Sequence, residues 1–198
     1  MDSFALPEPP LSDDLATLRP LQPSDATAIA EACADPLIPR FTFMPADLTL
    51  QQAADWIERR REQWRQGKVA GFAIVRASNQ RELLGTIGVA VDRERISGEV
   101  FYWIAAHARR GGFATRSVRL ISTWAFEELG LQRLELLTHP ENNASQAVAI
   151  SAGYSYEGTM RSHQPFKGGR MDSALFSLLP SDKAETRGDA SRAPKGAA

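Results

Sequence analysis

The chain holds one cysteine, Cys33, and three histidines among 198 residues. A single thiol excludes an internal disulfide and a cysteine-ligated zinc site, and it suits a reducing compartment. No run of about 18 apolar residues occurs, so no segment reads as a membrane span. The opening stretch, MDSFALPEPPLSDD, lacks the basic start and apolar middle of a secretory signal. Charge of one sign is also lacking: 23 Lys and Arg oppose 24 Asp and Glu, for a net charge of −1. Such a chain has no cationic excess for the phosphate neutralisation that dominates nucleic-acid binding. The expectation is a cytoplasmic protein with neither nucleic acid nor membrane as partner.

What is present is ordinary globular composition, 43% hydrophobic and 24% charged, enough for one domain with its own core. Residues 1–14 carry Pro7, Pro9, Pro10 and three aspartates with little apolar periodicity, and read as a flexible N-terminal arm. Residues 180–198 contain no large apolar side chain. They bury too little to offset their ordering entropy, and read as a disordered tail. The domain proper is expected over residues 15–179.

Within it a first strand is expected at 15–19. Ser24-Asp25 is placed to cap a helix running to about Ala34, followed by an aromatic, proline-rich loop at 36–47. Ala54, Ile57, Arg61 and Trp64 stripe a helix over 51–64. Strands are predicted at 72–76 and 83–91, joined by Ser78-Asn79, and at 99–104. Val118, Ile121, Ala125 and Leu129 repeat at helical spacing over 115–129, and Gly130 supplies a stop. A strand at 133–138, a helix at 143–152 closed by Gly153, and strands at 154–160 and 171–178 complete the pattern. Helices and strands alternate only in the second half, which points to an α+β arrangement, a mixed sheet with helices on its faces.

The most informative stretch is EVFYWIAAHARRGGFATRSVRL. A strand leads through Arg109, Arg110, Gly111, Gly112, Phe113, Ala114 and Thr115 into the longest amphipathic helix of the second half. The first N–H groups of a helix lack internal partners, and the helix dipole favours an anion there. The two glycines let backbone approach phosphate oxygens closely, and Ala114 keeps the next turn thin. The run is not a Walker loop, which ends in Gly-Lys-Ser/Thr, nor a dinucleotide fingerprint, whose glycine spacing is absent. Taken alone, it fits a Gly-Gly turn with a solvated arginine pair equally well.

Arg109-x-x-Gly112-x-Ala114 resembles the acetyl-CoA signature of the GNAT N-acetyltransferase superfamily. Asn142-Asn143-Ala144-Ser145, then Ala152-Gly153-Tyr154 and Glu157-Gly158, resemble its RimJ/RimL-type branch. So do the opening Leu18-Arg19-Pro20-Leu21 with Ser24-Asp25, and the closing Asp172 and Phe176 after Gly168-Gly169. The resemblance covers roughly residues 15–179.

It implies a mostly antiparallel sheet whose fourth and fifth strands splay around acetyl-CoA. Trp103 and Ile104 would pair their backbone with the pantetheine arm, and N–H groups of about 110–115 would hold the pyrophosphate. An amine, either a small molecule or a protein N-terminus, would attack the thioester directly. No metal is called for, and a homodimer is allowed.

Under the resemblance, a backbone N–H near Ile104 would face the developing oxyanion. Glu99 is the first candidate for general base, with His107 and His139 as rivals. The tyrosine that serves many members as acid falls at Ala149 and is missing. Ser145 takes its place as proton donor to the thiolate, with Asn142 ordering the acyl end. Asn142 and Ser145 are also residue types that cap helices. Arg116 and Arg119 could reach the CoA 3′-phosphate, and Phe41, Phe43 and Met44 border the acceptor groove. Trp56 and Trp64 read as core, and Arg59-Arg60-Arg61 as a solvated helix face. Two other classes compete: a catalytically weak acyl-CoA sensor on the same fold, and a nucleotide-dependent phosphotransferase, which would lack its P-loop lysine.

Overall fold

A computed structural model describes residues 3–182. Period-two alternation sends each long central strand to two cores at once. In β3 (Val69–Arg76), Phe72 and Ile74 join one buried cluster while Ala73 and Val75 join the other. In β5 (Ser97–Ile104), Val100 and Ile104 face the first cluster and Trp103 the second. Helix α4 (Phe113–Glu127) covers the first face through Val118, Ile121 and Ala125, all fully buried. Each large aliphatic buried this way contributes about 1.5–3 kcal/mol. Helices α1 (Ala26–Cys33), α2 (Leu37–Phe41) and α3 (Leu50–Arg65) supply residues of the second cluster.

The remaining elements are β1 (Leu11–Ser12), β2 (Ala16–Pro20), β4 (Asn79–Asp92), β6 (Arg133–Thr138), α5 (Asn143–Ser151), β7 (Ser155–Phe166) and β8 (Gly169–Leu178). The eight strands make one sheet of order β1-β2-β3-β4-β5-β6-β8-β7. Every pairing is antiparallel except β5 with β6. That parallel ladder joins Ser97 to Arg133, Gly98 to Leu134 and Glu99 to Glu135, and goes no further. Beyond Glu99 the two strands diverge, while β5 keeps its partners on β4 as far as Gly85 and Ile104. The expected splay is therefore present, with its apex at Glu99.

Several local expectations are corrected. Asp25 does not cap α1. Its carboxylate accepts two bonds from the Arg19 guanidinium at 2.7 and 2.9 Å and one from the Gln22 N–H at 2.8 Å. Burial of that pair makes the ion pair, not the helix end, the better use of the charge. Thr49 caps α3 by accepting from the Gln52 N–H. The loop at 36–47 contains a helical turn and a half, α2, despite its prolines.

The N-terminal arm packs rather than floating. Phe4 is only 7% exposed, edge-on to Trp64 and Trp124, and its carbonyl accepts the Trp64 indole N–H at 2.9 Å. At the other end, Leu179 and Asp182 close a turn, and residues 183–198 of the expected tail lie outside the described residues.

Candidate active site

Divergence of β5 and β6 opens a cleft of about 1100 Å³, running from the start of α4 to α2 and α3. At its α4 end, Arg110 and Gly112 both adopt the left-handed conformation, at φ 60° and 82°. This turns the chain sharply enough to aim α4 at the cleft. Gly112 is the N-cap, and no side chain caps the helix. The first intrahelical bond runs from the Arg116 N–H to the Gly112 carbonyl at 3.1 Å. The N–H groups of Phe113, Ala114 and Thr115 precede it, and all three residues line the cleft. Gly112 and Arg110 line it as well, whereas Gly111 does not. A Cβ on Gly111 would lie 2.8 Å from the Phe113 ring, so its glycine serves packing.

Arg109 borders the cleft, but its guanidinium is engaged elsewhere. It donates to the Ile104 carbonyl at 3.2 Å and pairs with Asp35 at 2.6 Å. The side chain thus ties the loop to the end of β5 and to the α1–α2 connection. Arg116 pairs with Asp13 and Asp14 at 3.2 and 3.4 Å, and Arg119 donates to the Ser151 carbonyl. Neither arginine is free in the way the sequence suggested.

Glu99 stands where the strands part. Its side chain is exposed to the cleft yet lies deep in the concavity. Loss of bulk solvation, and secondly the Glu135 carboxylate across the ladder, raise its pKa. Tyr102 projects to the opposite face of β5, where its hydroxyl meets that of Ser145 at 2.9 Å. Burial pushes the Tyr102 phenol up to about 12, so it remains protonated at neutral pH.

Asn142 is the cap of α5, its side chain accepting the Ser145 N–H at 3.1 Å. Ser145 is thereby released from capping. Ala149 is fully buried, and α5 carries no tyrosine. Tyr102 brings one from the neighbouring strand. Sequence reasoning missed it, although period two placed it on the α5 side, opposite Glu99 and Trp103. Trp103 and Ile104 line the cleft beyond the last β6 pairing.

The histidines separate. His107 is exposed beside Glu82 and is not among the cleft-lining residues. His139 lines the cleft against Phe41, but its Nδ1 accepts the Glu141 N–H at 3.1 Å. A neutral ring so held carries its proton on Nε2, and has no free basic nitrogen. Of the three, Glu99 is the one that stands at the strand divergence.

The far half of the cleft is aromatic. Phe41, Phe43 and Met44 line it, with Phe43 edge-on to Phe166 of β7. Lys167 at the β7–β8 turn donates to the carbonyls of Pro39 and Met44, tying the hairpin to the α2 segment. Trp56 also lines the cleft, whereas Trp64 packs with Phe4, Phe72 and Trp124. Arg59 and Arg60 line the cleft too, so the arginine run on α3 is not simply a solvated face.

Residues 16–155 match the acetyltransferase (GNAT) domain family. The chain belongs to that family. The uncharacterized N-acetyltransferase p20 of Bacillus licheniformis is 28% identical over 169 residues, 85% of this chain and 94% of p20. Mycobacterium smegmatis RimJ, solved in complex with CoA-disulfide, superposes with a TM-score of 0.77 at 22% identity, covering 89% of this chain and 90% of RimJ. The Microcin C7 self immunity acetyltransferase MccE, solved with acetyl-CoA and AMP, gives 0.76 at 17%, covering 84% and 93%. At these identities the two structures establish the fold.

In this GNAT domain the signature residues divide by role. Gly112, Ala114 and the first turn of α4 line the cleft with no side-chain cap, while Arg109 braces the loop before them. Glu157 of the Glu-Gly motif is likewise a brace. It holds Arg133 through two bonds at 2.6 and 2.9 Å and accepts from Ser177, and these contacts bring its pKa down to about 2.

Proposed function

We propose that this protein is a RimJ/RimL-type N-acetyltransferase, passing the acetyl group of acetyl-CoA to a primary amine by direct attack in a ternary complex. One observation carries the reading. The uncapped start of α4 opens on the same cleft whose walls, past the β5–β6 apex, present Glu99 on one face and the Tyr102–Ser145 pair on the other. A helix start without a side-chain cap favours an anionic oxygen, and the pyrophosphate of CoA fits that need. The freed edge of β5 at Trp103 and Ile104 offers backbone groups to an amide-rich pantetheine arm.

Acetyl-CoA supplies an activated acyl group and a thiolate leaving group. The chain's own residues supply the proton traffic. Glu99, with its pKa raised toward working pH, accepts the proton of the incoming ammonium directly or through water. Ser145 donates its proton to the departing sulfur, and Tyr102 hydrogen-bonds to Ser145 to replace it. The new N–C bond and the broken S–C bond balance: the ammonium nitrogen loses two protons, one to Glu99 before attack and one as the tetrahedral intermediate collapses, while sulfur gains one, so one proton passes to water.

The test is free-thiol release from acetyl-CoA across peptides of varied N-termini and panels of small amines, paired with calorimetric binding of acetyl-CoA. Turnover dependent on amine and on Glu99 supports the reading. Tight CoA binding without turnover of any amine would instead mark a sensor.

A further inference from the structure

Arg60 lies inside the acceptor half of the cleft in a setting built for it. Gly71 of β3, Gly88 of β4 and Phe101 of β5 are consecutive partners across the sheet. A Cβ on Gly88 would come within 2.6 Å of the Phe101 ring, so only glycine lets that ring lie down over β4. Next to it, the Arg60 Cδ would be 3.8 Å from a Cβ on Gly71, so the arginine stem crosses the sheet at the second glycine. The guanidinium then rests on Phe101 and Trp56, 4.9 and 5.1 Å from the ring centroids.

Two aromatic faces hold the cation in place but do not neutralise it. Among the described residues, its one side-chain hydrogen bond is to neutral Gln63 at 2.8 Å, and its Nε is buried without a partner. Among the described residues, no carboxylate forms an ion pair with Arg60 or with Arg59, which lines the cleft beside it. Burial and the Arg59 charge lower the Arg60 pKa, as expected for a cation short of an anion. Phe101 is two residues from Glu99 on the same strand face, roughly 7 Å along the strand.

We infer that Arg60, with Arg59, binds an oxyanion of the acceptor, so that the preferred substrate is an amine bearing its own carboxylate or phosphate a few bonds from the nitrogen. The inference rests on the amine-acetylation reading above and narrows it. The amine stands at Glu99 while the oxyanion docks against the fork of Arg60 over Phe101. Polyamines and aminoglycosides meet two unpaired arginines at that point and are disfavoured.

Matched acceptors test this. γ-Aminobutyrate is compared with its amide, O-phosphoethanolamine with ethanolamine, and Ser-Asp dipeptide amide with Ser-Asn dipeptide amide, each read as acetyl-CoA-dependent thiol release. The anionic member should exceed its neutral partner at least tenfold in kcat/KM, chiefly through KM, in at least one pair. Which pair responds separates carboxylate from phosphate. Arg60→Met, which keeps the stem, should bring that ratio near one, and Arg60→Lys should leave an intermediate ratio. A merely structural Arg60 would lower both members alike and preserve the ratio. Neutral or polycationic amines equal to or better than the anionic ones overturn the inference and leave the acetyltransferase reading standing. Acetyl-CoA binding with no amine turned over in any arm removes that reading, and the inference with it.

Discussion

The Tyr102 and Ser145 hydroxyls meet at 2.9 Å, joining β5 to the first turn of α5 beside the strand divergence. A buried phenol held near 12 keeps its proton, so it can donate to Ser145 and leave the serine proton free for sulfur. Ser145→Ala and Tyr102→Phe are each expected to lower kcat about tenfold, within the ordinary reach of acid–base assistance. Because the two act as one relay, the double variant should lose little more than either alone. A hundredfold loss in the double variant, the product of independent effects, would count against the relay. Asn142→Ala should instead cost about 1 kcal/mol of stability, since Asn142 is the cap.

Glu99 predicts opposite effects on activity and stability. Its folded pKa is raised above the unfolded value, so the fold favours the protonated acid. Stability from that proton is fully present below the usual Glu range, and is lost as pH rises through the folded pKa. Glu99→Gln should therefore melt higher than the parent at neutral pH, with the gap closing below about pH 4. In the same variant kcat should fall about 10²-fold, acetyl-CoA affinity should hold, and activity should partly return at high pH as free amine accumulates. Parallel pH–rate profiles with equal kcat would eliminate Glu99 as the base.

The proposed phosphate-binding half of the site was legible in the sequence because it is local. Gly112-x-Ala114 lies directly before the apolar stripe of α4, and a helix start needs only its own neighbours. Of the proposed acceptor half, Phe41, Phe43 and Met44 were named as bordering residues and line the cleft, but Arg59 and Arg60 were not. Arg60 sits three residues past buried Ile57 on α3, whereas Arg61 and Arg65 pair outward with Glu58 and Glu62. A run of arginines conceals that difference until the sheet beneath is known. Arg109 stood in the acetyl-CoA signature with no visible partner, because Asp35 comes from a distant connection. Phe4 was lost among prolines, since one aromatic residue has no period to detect.

Packing of the arm gives a stability prediction. Phe4 contacts Trp64 and Trp124 edge-on and is nearly buried. Phe4→Ala should cost about 2–4 kcal/mol by urea unfolding, somewhat below the range for central phenylalanines because the site lies near the surface. Removing residues 1–5 should cost more, since the Trp64 indole then loses the Phe4 carbonyl as well. An unchanged midpoint in both variants would return the arm to the loose state its composition suggested.

The loop before α4 separates conformation from charge. Arg110 adopts φ 60°, which costs a residue with a Cβ about 1–2 kcal/mol. Arg110→Gly relieves that strain but gives the unfolded chain about 0.4–1 kcal/mol of extra freedom. Stability should barely move, while acetyl-CoA affinity falls about two- to fivefold as a solvent-screened cation is lost. Gly112→Ala works the other way. A Cβ there meets only Leu15 at 3.5 Å, an ordinary contact, so the penalty is the strain of φ 82° rather than a clash. The melting temperature should drop by the equivalent of about 1–2 kcal/mol. Rotation of the first turn should weaken acetyl-CoA binding at least tenfold, about 1.4 kcal/mol. Calorimetry on both variants is decisive. If Gly112→Ala melts lower yet binds acetyl-CoA as the parent does, the left-handed turn serves only to start α4, and the pyrophosphate lies elsewhere.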